Sequence, residues 1–340
     1  MTTLSITCPI TSPDPSYTAG WVALAATLDV PVWFGQASTI PLSAGVGLAS
    51  GRNERATVGQ GVTLIPTTTV FDAATQANAI TRLTGQATRA YFSPGFPELQ
   101  QHLLGAADPH PLRTTRTFIE RLDTCLHGLG VRENVELGLG VLRPGMARLA
   151  GRIADGALTW LVGSRYLADV LVPALDAGAA AAGRQRPRVV STIHTSMRPN
   201  LLGETLRACV SRAFGAHLSA PHYRNLLQLQ GCAVSTVSAN GDRGPDAQDL
   251  DAVLALGLFS PLESLPTHLR RLSRSGADEI AIVMHDLGSA QDVARLWPHL
   301  QEQLTTPPTP GSTAPQSDRA GVGAGLPQST EPEPAGRRAS

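Results

Sequence analysis

The chain has 340 residues, 42% of them hydrophobic, and its 27 basic side chains balance 27 acidic ones. That balance leaves no basic field to hold a polyanion and no polybasic segment for a lipid surface, so nucleic acid and membranes are set aside as partners. None of the basic residues is lysine, which excludes a lysine Schiff base and a Walker-type phosphate lysine.

An anionic ligand therefore falls to arginine, histidine, hydroxyls or backbone N–H groups at helix starts. Cys8, Cys125, Cys209 and Cys232 are far apart and show no CxxC spacing, which argues against a zinc site and for reduced thiols in a cytoplasmic protein. The opening Met1-Thr2-Thr3-Leu4 lacks a basic region followed by an apolar run, and no window has membrane-spanning length.

Along the chain, short β-type runs alternate with amphipathic helical runs, the pattern of parallel βαβ units. Strands are predicted at Leu4–Pro9, Pro31–Gly35, Ala56–Leu64, Thr88–Ser93, Glu133–Gly140, Gly156–Leu161, Arg188–Thr195 and Glu279–Met284. Helices are predicted at Tyr17–Leu28, Ala73–Leu83, Leu112–Leu126, Met146–Ala154 and Tyr166–Ala182. Eight strands is the count of a closed (β/α)8 TIM barrel, so the expected fold class is α/β.

The first-strand loop, Pro9 to Pro15, carries Pro9, Pro13 and Pro15, and either shapes a pocket or is a rigid connection. Residues 196–278, about eighty in all, separate the seventh and eighth strands and are read as an insertion with helices and a Gly/Asp-rich loop. Within it, Ser260-Pro261-Leu262-Glu263 predicts a helix with Ser260 as N-cap and Pro261 at its first position, running through about Arg274 and ended by Gly276. From residue 305 to 340 the composition shifts to Pro, Gly, Ser, Thr and Ala, so a barrel over 1–304 is expected with a disordered tail after it.

The segment Met146-Ala147-Arg148-Leu149-Ala150-Gly151-Arg152-Ile153-Ala154-Asp155-Gly156-Ala157 resembles the Leu-Ala-Gly-x-x-Ala-Asp-Gly signature of luciferase-like oxidoreductases that use FMN or coenzyme F420. Small residues on such a helix permit close packing, and Asp-Gly makes a tight turn into the next strand. Glu54 to Pro66 looks like that family's third strand, and Leu83-Thr84-Gly85 with Arg89 to Gly95 looks like its next helix end and fourth strand. Gly257 to Pro261 and Ser275 to Ile280 look like its last helix-strand unit.

The resemblance implies a cofactor at the C-terminal mouth of the barrel, where the βα loops converge. F420-dependent relatives carry a non-prolyl cis peptide in the third strand against the deazaflavin ring, and the matching pair is Gly61-Val62; Gly61 also reads as a plain bulge or close-packing glycine. After the sixth strand, Leu161-Val162-Gly163-Ser164 is a plausible phosphate cradle, with Ser164 either capping the next helix around a ligand or simply capping it. Ser93-Pro94-Gly95-Phe96 matches a family cofactor loop, though its turn chemistry needs no ligand. His194, ending the seventh strand, lies near where some relatives place a lysine toward the phosphate, and is equally a structural histidine.

Sugar-phosphate dehydrogenases of the family carry an Asp-His pair just after the second strand, with the histidine as general base. Phe34-Gly35-Gln36-Ala37 stands there instead, and Gln36 cannot accept a proton usefully. The acidic residue of the fourth-strand loop is displaced to Glu98. These departures favour reduction of an activated C=C or C=N bond, such as a dehydroamino acid in a peptide natural product, by reduced F420. Tyr17, Gln36, Glu98 and His102 are the polar residues expected near a small-molecule or peptide substrate.

Two alternatives remain. One is an FMN-dependent monooxygenase, which must shelter a flavin peroxide from water although the 36–42 loop offers little lid; the other is a non-catalytic barrel subunit. Relatives commonly pair through helices beside the second to fourth strands, and the runs Leu42–Leu48 and Ala73–Leu83 are rich in small apolar residues, so a homodimer is expected, with the tail dispensable for it.

Overall fold

The computed structural model describes residues 2–8, 14–36, 41–198, 200–234, 245–285 and 290–305. Most of the proline-bearing first loop, the 37–40 part of the loop after Gln36, and the tail from 306 lie outside the described residues.

The elements run β1 (Thr3–Thr7), α1 (Pro15–Leu28), β2 (Val32–Phe34), α2 (Leu42–Gly51), β3 (Val58–Leu64), α3 (Val70–Thr84), β4 (Thr88–Ser93), α4 (Pro97–Leu104), α5 (Pro111–Gly128), β5 (Val135–Gly140), α6 (Pro144–Ile153) and β6 (Gly156–Thr159). A helical run then passes from α7 (Ser164–Tyr166) through a π-type turn at Leu167–Leu171 into α8 (Val172–Ala181). The rest is β7 (Arg188–Ser196), α9 (Gly203–Leu218), α10 (Pro221–Leu229), α11 (Ala247–Ala255), β8 (Phe259–Pro261), α12 (Leu265–Arg274), β9 (Glu279–His285) and α13 (Ala290–Thr305). Local chemistry sets several boundaries. Asp14 accepts from Ser16 N at 2.8 Å to start α1, Thr69 accepts from Asp72 N at 3.1 Å to start α3, and Asp246 and Asp249 form a capping box on α11.

All strand pairs are parallel, in the order β6-β5-β4-β3-β2-β1-β9-β7, and β6 pairs with β7 to close the ring of eight. The (β/α)8 barrel expected from the sequence is the observed fold. The ninth strand, β8, was not foreseen. It pairs with the upper end of β7, His194 opposite Phe259 and Ser196 opposite Pro261, on the edge whose lower end pairs with β6.

This strand corrects the reading of Ser260 as an N-cap. Ser260 lies in β8, fully buried, and the helix starts five residues later with Ser264 as N-cap. A Ser-Pro pair fits a strand end as well as a helix start, and register with β7 decides between them here. Ser164 is likewise not a cap: Gly163 holds that position and Ser164 is the first helical residue.

Side-chain alternation separates the two faces of the barrel wall. Outward residues such as Ile6, Val32, Val58, Leu137 and Ile280 join the main apolar core beneath the helices, while Trp33, Tyr91, Leu158, Val190 and Ala281 fill the interior with Val62 above them. The base of the interior is polar. Glu279 accepts from Trp33 Nε1 at 2.8 Å and from Arg89 Nη1 at 2.6 Å, and Tyr91 Oη donates to Glu136. Buried charges persist here because each is paired and hydrogen-bonded.

The Leu-Ala-Gly-x-x-Ala-Asp-Gly segment acquires a steric reason. A Cβ on Gly151 would lie 2.3 Å from Leu175 O and one on Gly178 would lie 2.2 Å from Arg148 O, so α6 and α8 touch backbone to backbone. A Cβ on Gly156 would lie 1.7 Å from Tyr91 Oη inside the barrel. Asp155 closes the turn between them, accepting from Leu137 N at 3.0 Å and pairing with Arg132 at 2.7 Å.

Candidate functional site

The C-terminal ends of six barrel strands meet around one opening. By alternation, Ser93 (β4), Gly140 (β5), His194 (β7) and His285 (β9) face inward, Trp160 follows β6 with the parity of Leu158, and Val62 (β3), which has the parity of outward Val58, packs on the interior cluster because the β3 register shifts after Gln60. Gly61, Val62, Ser93 and Gly140 are partly exposed. The peptide bond between Gly61 and Val62 is cis, and the β3–β4 register shifts there, between Gln60 and Thr63. A Cβ on Gly140 would stand 3.1 Å from Val62 and 3.3 Å from Ser93 Cβ, so these residues form one patch of wall.

Facing that patch is a cluster of rings. His194 packs edge-on to Trp160 at 4.7 Å between centroids, against Phe214 of α9 at 4.2 Å, and stacks with His285 at 5.2 Å. His217 of α9 joins at 5.5 Å from Trp160. His194 Nδ1 and His285 Nε2 share a hydrogen bond of 2.9 Å. Trp160 Nε1, His194 Nε2 and His217 Nδ1 are buried with no hydrogen-bond partner among the described residues. Such groups are uncommon in folded proteins and point to an occupant, water or ligand.

Charge in this cluster is suppressed. Burial, then the neighbouring imidazoles His285 and His217, hold His194 well below the ordinary histidine range, and burial takes His217 to about 4. His194 and His217 therefore offer neutral donors and acceptors at pH 7.

A cation lies beside it. Arg143, between β5 and α6, donates through Nη2 to His222 O at 3.0 Å and Asn225 Oδ1 at 2.9 Å. Its Nη1 is buried without a partner among the described residues. Phe96 reaches the same place, stacked on His222 at 6.1 Å and edge-on to Tyr223 at 5.5 Å.

The loop expected to cradle a phosphate is filled from within. Gly163 N donates to Gln230 Oε1 at 2.7 Å, and Gln230 Nε2 donates to Leu161 O at 2.9 Å. Leu161 and Val162 are buried, and Leu161 adopts a left-handed conformation with φ of 57°. As it stands, this loop offers no free N–H at Gly163 to an anion. In the fourth-strand loop, Gly95 has φ of 78°, which favours glycine, and its N–H donates to Ser93 Oγ at 3.2 Å. Gln100 Nε2 donates to Pro94 O at 2.7 Å.

The four polar residues placed near a substrate do not converge. Tyr17 packs edge-on to Trp21 on α1, on the outer side of the wall. Gln36 is spent on the end of β3, accepting from Leu64 N and donating to Thr67 Oγ1. Glu98 and His102 are exposed on α4; burial and then Arg143 lower the pKa of His222, and Glu98 only partly opposes them. Trp160, His217, His285, Arg143 and Gln230 were not singled out from the sequence. The inward parity of Trp160 with Leu158, and of His285 with Ala281, was the available signal.

A cavity of about 300 Å³ lies elsewhere, bordered by outward-facing Phe34, Gln60 and Phe92 and by Asp72 and Gln76 of α3. It lies in the layer between wall and helices and reaches Gln36 and Thr67 just after the C-terminal ends of β2 and β3. Among the described residues no helix is long and apolar enough to cross a membrane, and no group of three or more His, Cys, Asp or Glu side chains could hold a metal.

Three solved structures share this architecture. An F420-dependent secondary alcohol dehydrogenase in complex with an F420–acetone adduct superposes with a TM-score of 0.62 at 12% identity, over 90% of this chain and 99% of that one. The coenzyme F420-dependent tetrahydromethanopterin reductase of Methanopyrus kandleri gives 0.62 at 15% identity, over 88% and 99%. The oxygenating constituent of 3,6-diketocamphane monooxygenase from Pseudomonas putida, in complex with FMN, gives 0.59 at 11% identity, over 89% and 96%. No curated protein sequence matches significantly. The sequence model of the luciferase-like monooxygenases matches residues 30–257, two thirds of the chain, and the protein belongs to that family.

Proposed function

We propose that the protein is an oxidoreductase that binds coenzyme F420 at the barrel mouth and reduces an activated C=C or C=N bond of a small molecule or peptide. The observation that carries this reading is the set of buried, unpartnered nitrogens, Trp160 Nε1, His194 Nε2 and His217 Nδ1, opposite the wall patch of Gly61, Val62, Ser93 and Gly140. A planar ring would lie between this side-chain-poor wall and the ring cluster, and the nitrogens without a partner among the described residues would donate to or accept from its polar edge.

The phosphate end fits differently from the sequence expectation. Gln230 occupies the Gly163 loop, whereas Arg143, beside Tyr166, keeps a buried guanidinium nitrogen with no hydrogen-bond partner among the described residues, so Arg143 would hold the phosphate. When bound, the coenzyme supplies a hydride; the chain orients the ring, keeps water out with Trp160, Phe214 and Phe96, and holds a proton on imidazole.

Two other readings have observations of their own. The aromatic cover at the mouth suits the shelter that an FMN monooxygenase needs. Gln230 lying in the phosphate loop suits a non-catalytic subunit. Calorimetric or fluorescence titration of the full chain with F420 and with FMN decides among the three. F420 binding with a dissociation constant on the order of 10 μM or tighter is expected. Binding of FMN alone promotes the monooxygenase, and binding of neither overturns the enzymatic reading.

A further inference from the structure

Arg143 is half-buried and forms no ion pair among the described residues. The titratable group beside it is Tyr166, a phenol that burial holds above its ordinary range and that donates to Leu142 O at 3.5 Å. A neutral phenol does not cancel a guanidinium charge, and a cation withdrawn from water calls for an anion. The two terminal nitrogens of Arg143 are used unequally. Nη2 donates to His222 O at 3.0 Å and to Asn225 Oδ1 at 2.9 Å, while Nη1 is buried with no hydrogen-bond partner among the described residues.

Both acceptors of Nη2 belong to α10, which lies across the loops that follow β4, β5 and β6. Phe96 meets His222 and Tyr223 from the first loop, Arg143 comes from the second, and Gly163 N and Leu161 O bind Gln230 from the third. Arg224, on the same helix, pairs with Asp249 of α11 at 3.1 Å and donates to Leu218 O at 2.6 Å. Thus α10 is tied on one side to the insertion and on the other to the barrel loops, and Arg143 supplies the charged tie to the barrel.

We propose that Arg143 couples an oxyanion site to α10: Nη1 takes an oxygen of a phosphate-class anion while Nη2 keeps hold of His222 and Asn225, so anion binding fastens α10 to the barrel loops. A guanidinium is planar and rigid, so fixing Nη1 on an oxygen also fixes Nη2. By linkage, the hold that a bound anion adds on α10 equals what an ordered α10 adds to anion affinity. That the anion is the phosphate of a coenzyme rests on the function proposed above; the coupling needs only an oxyanion on Arg143.

Hydrogen–deuterium exchange of the full chain, with inorganic phosphate as the probe and calorimetry for its affinity, tests the coupling. Phosphate should slow exchange at residues 223–229 by about fivefold or more and leave α3 unchanged. Arg143→Met should abolish both binding and protection, and Asn225→Ala, at an exposed position, should weaken phosphate binding about fivefold. Phosphate that binds through Arg143 without slowing α10, or that slows α3 equally, overturns the coupling. No binding at about 10 mM phosphate, or binding that survives Arg143→Met, overturns the oxyanion site and the coupling with it. The measurement needs no coenzyme, so protection by phosphate without F420 binding would overturn the proposed function and leave the coupling standing.

Discussion

Gln230, the residue that ends α10, reaches back to Gly163 behind β6 and accepts its backbone N–H at 2.7 Å while donating to Leu161 O at 2.9 Å. One amide thus satisfies both polar groups that the loop could have turned toward a phosphate. Replacing Gln230 with Ala removes three part-buried hydrogen bonds, the third from Nε2 to Leu226 O at 3.2 Å, and should cost about 1–2 kcal/mol of stability. With the phosphate on Arg143, as proposed above, the same change should leave binding of F420 or FMN unchanged, whereas a phosphate site held shut at the loop would bind about fivefold tighter, the equivalent of one hydrogen bond regained. Paired chemical denaturation and coenzyme titration measure the two effects. Unchanged affinity alongside lowered stability would assign the phosphate to Arg143.

Gly156 meets Tyr91 where the α6–β6 turn enters the barrel. Gly156→Ala would place a methyl 1.7 Å from Tyr91 Oη, whose proton already goes to Glu136. The ring cannot retreat, because Trp33 packs edge-on against it at 4.9 Å. Overpacking of this kind should destabilise by about 3 kcal/mol, seen as a lowered denaturation midpoint with an unchanged slope. A loss below about 0.5 kcal/mol would mean that the interior is looser than described.

The ring cluster also predicts acid sensitivity. His217 falls from the usual 6.5 to about 4 through burial, so the unfolded chain binds its proton first as pH drops. Stability from this group is complete above pH 6.5 and is lost as pH falls toward 4. His194 shifts in the same direction and adds to the loss. His217→Phe, which keeps the ring packing, should remove up to about 3 kcal/mol of the pH dependence in that window while leaving neutral stability near its starting value. Denaturant midpoints at pH 7, 5.5 and 4.5 for both proteins test this, and parallel acid limbs would refute it.

How much of this could be read from the sequence follows from what periodicity reports. Period-two runs bounded by turn residues placed all eight barrel strands, and the Asp155-Gly156 turn anchored the family. β8 escaped because three residues carry no period, and Ser260-Pro261 satisfies two local grammars until β7 supplies the register. Glu98 and Gln36 were chosen by their distance from motifs along the chain, a measure blind to which side of the wall a residue takes. Trp160, His194 and His285 share one opening only because β6, β7 and β9 are brought together by closure of the ring, and they lie 34 and 91 residues apart along the chain. Gln230 in the Gly163 loop is a contact across 67 residues that no motif encodes.

Assembly gives the last prediction. Leu48 on α2 and Leu83 on α3 are 45% and 37% exposed, and a Cβ on Gly47 would lie 3.8 Å from Leu83, so the two helices present adjoining apolar positions. An apolar face that a two-fold axis can match with itself suits an isologous contact. We therefore expect the full chain and a chain ending at residue 304 to have the same dimeric mass by light scattering at micromolar concentration. Leu48→Arg should convert both to monomers, because it sets like charges against each other across the axis. A monomeric unaltered chain would refute the dimer, a mass that falls only on truncation would give the tail a role in assembly, and a Leu48→Arg dimer would move the interface away from α2.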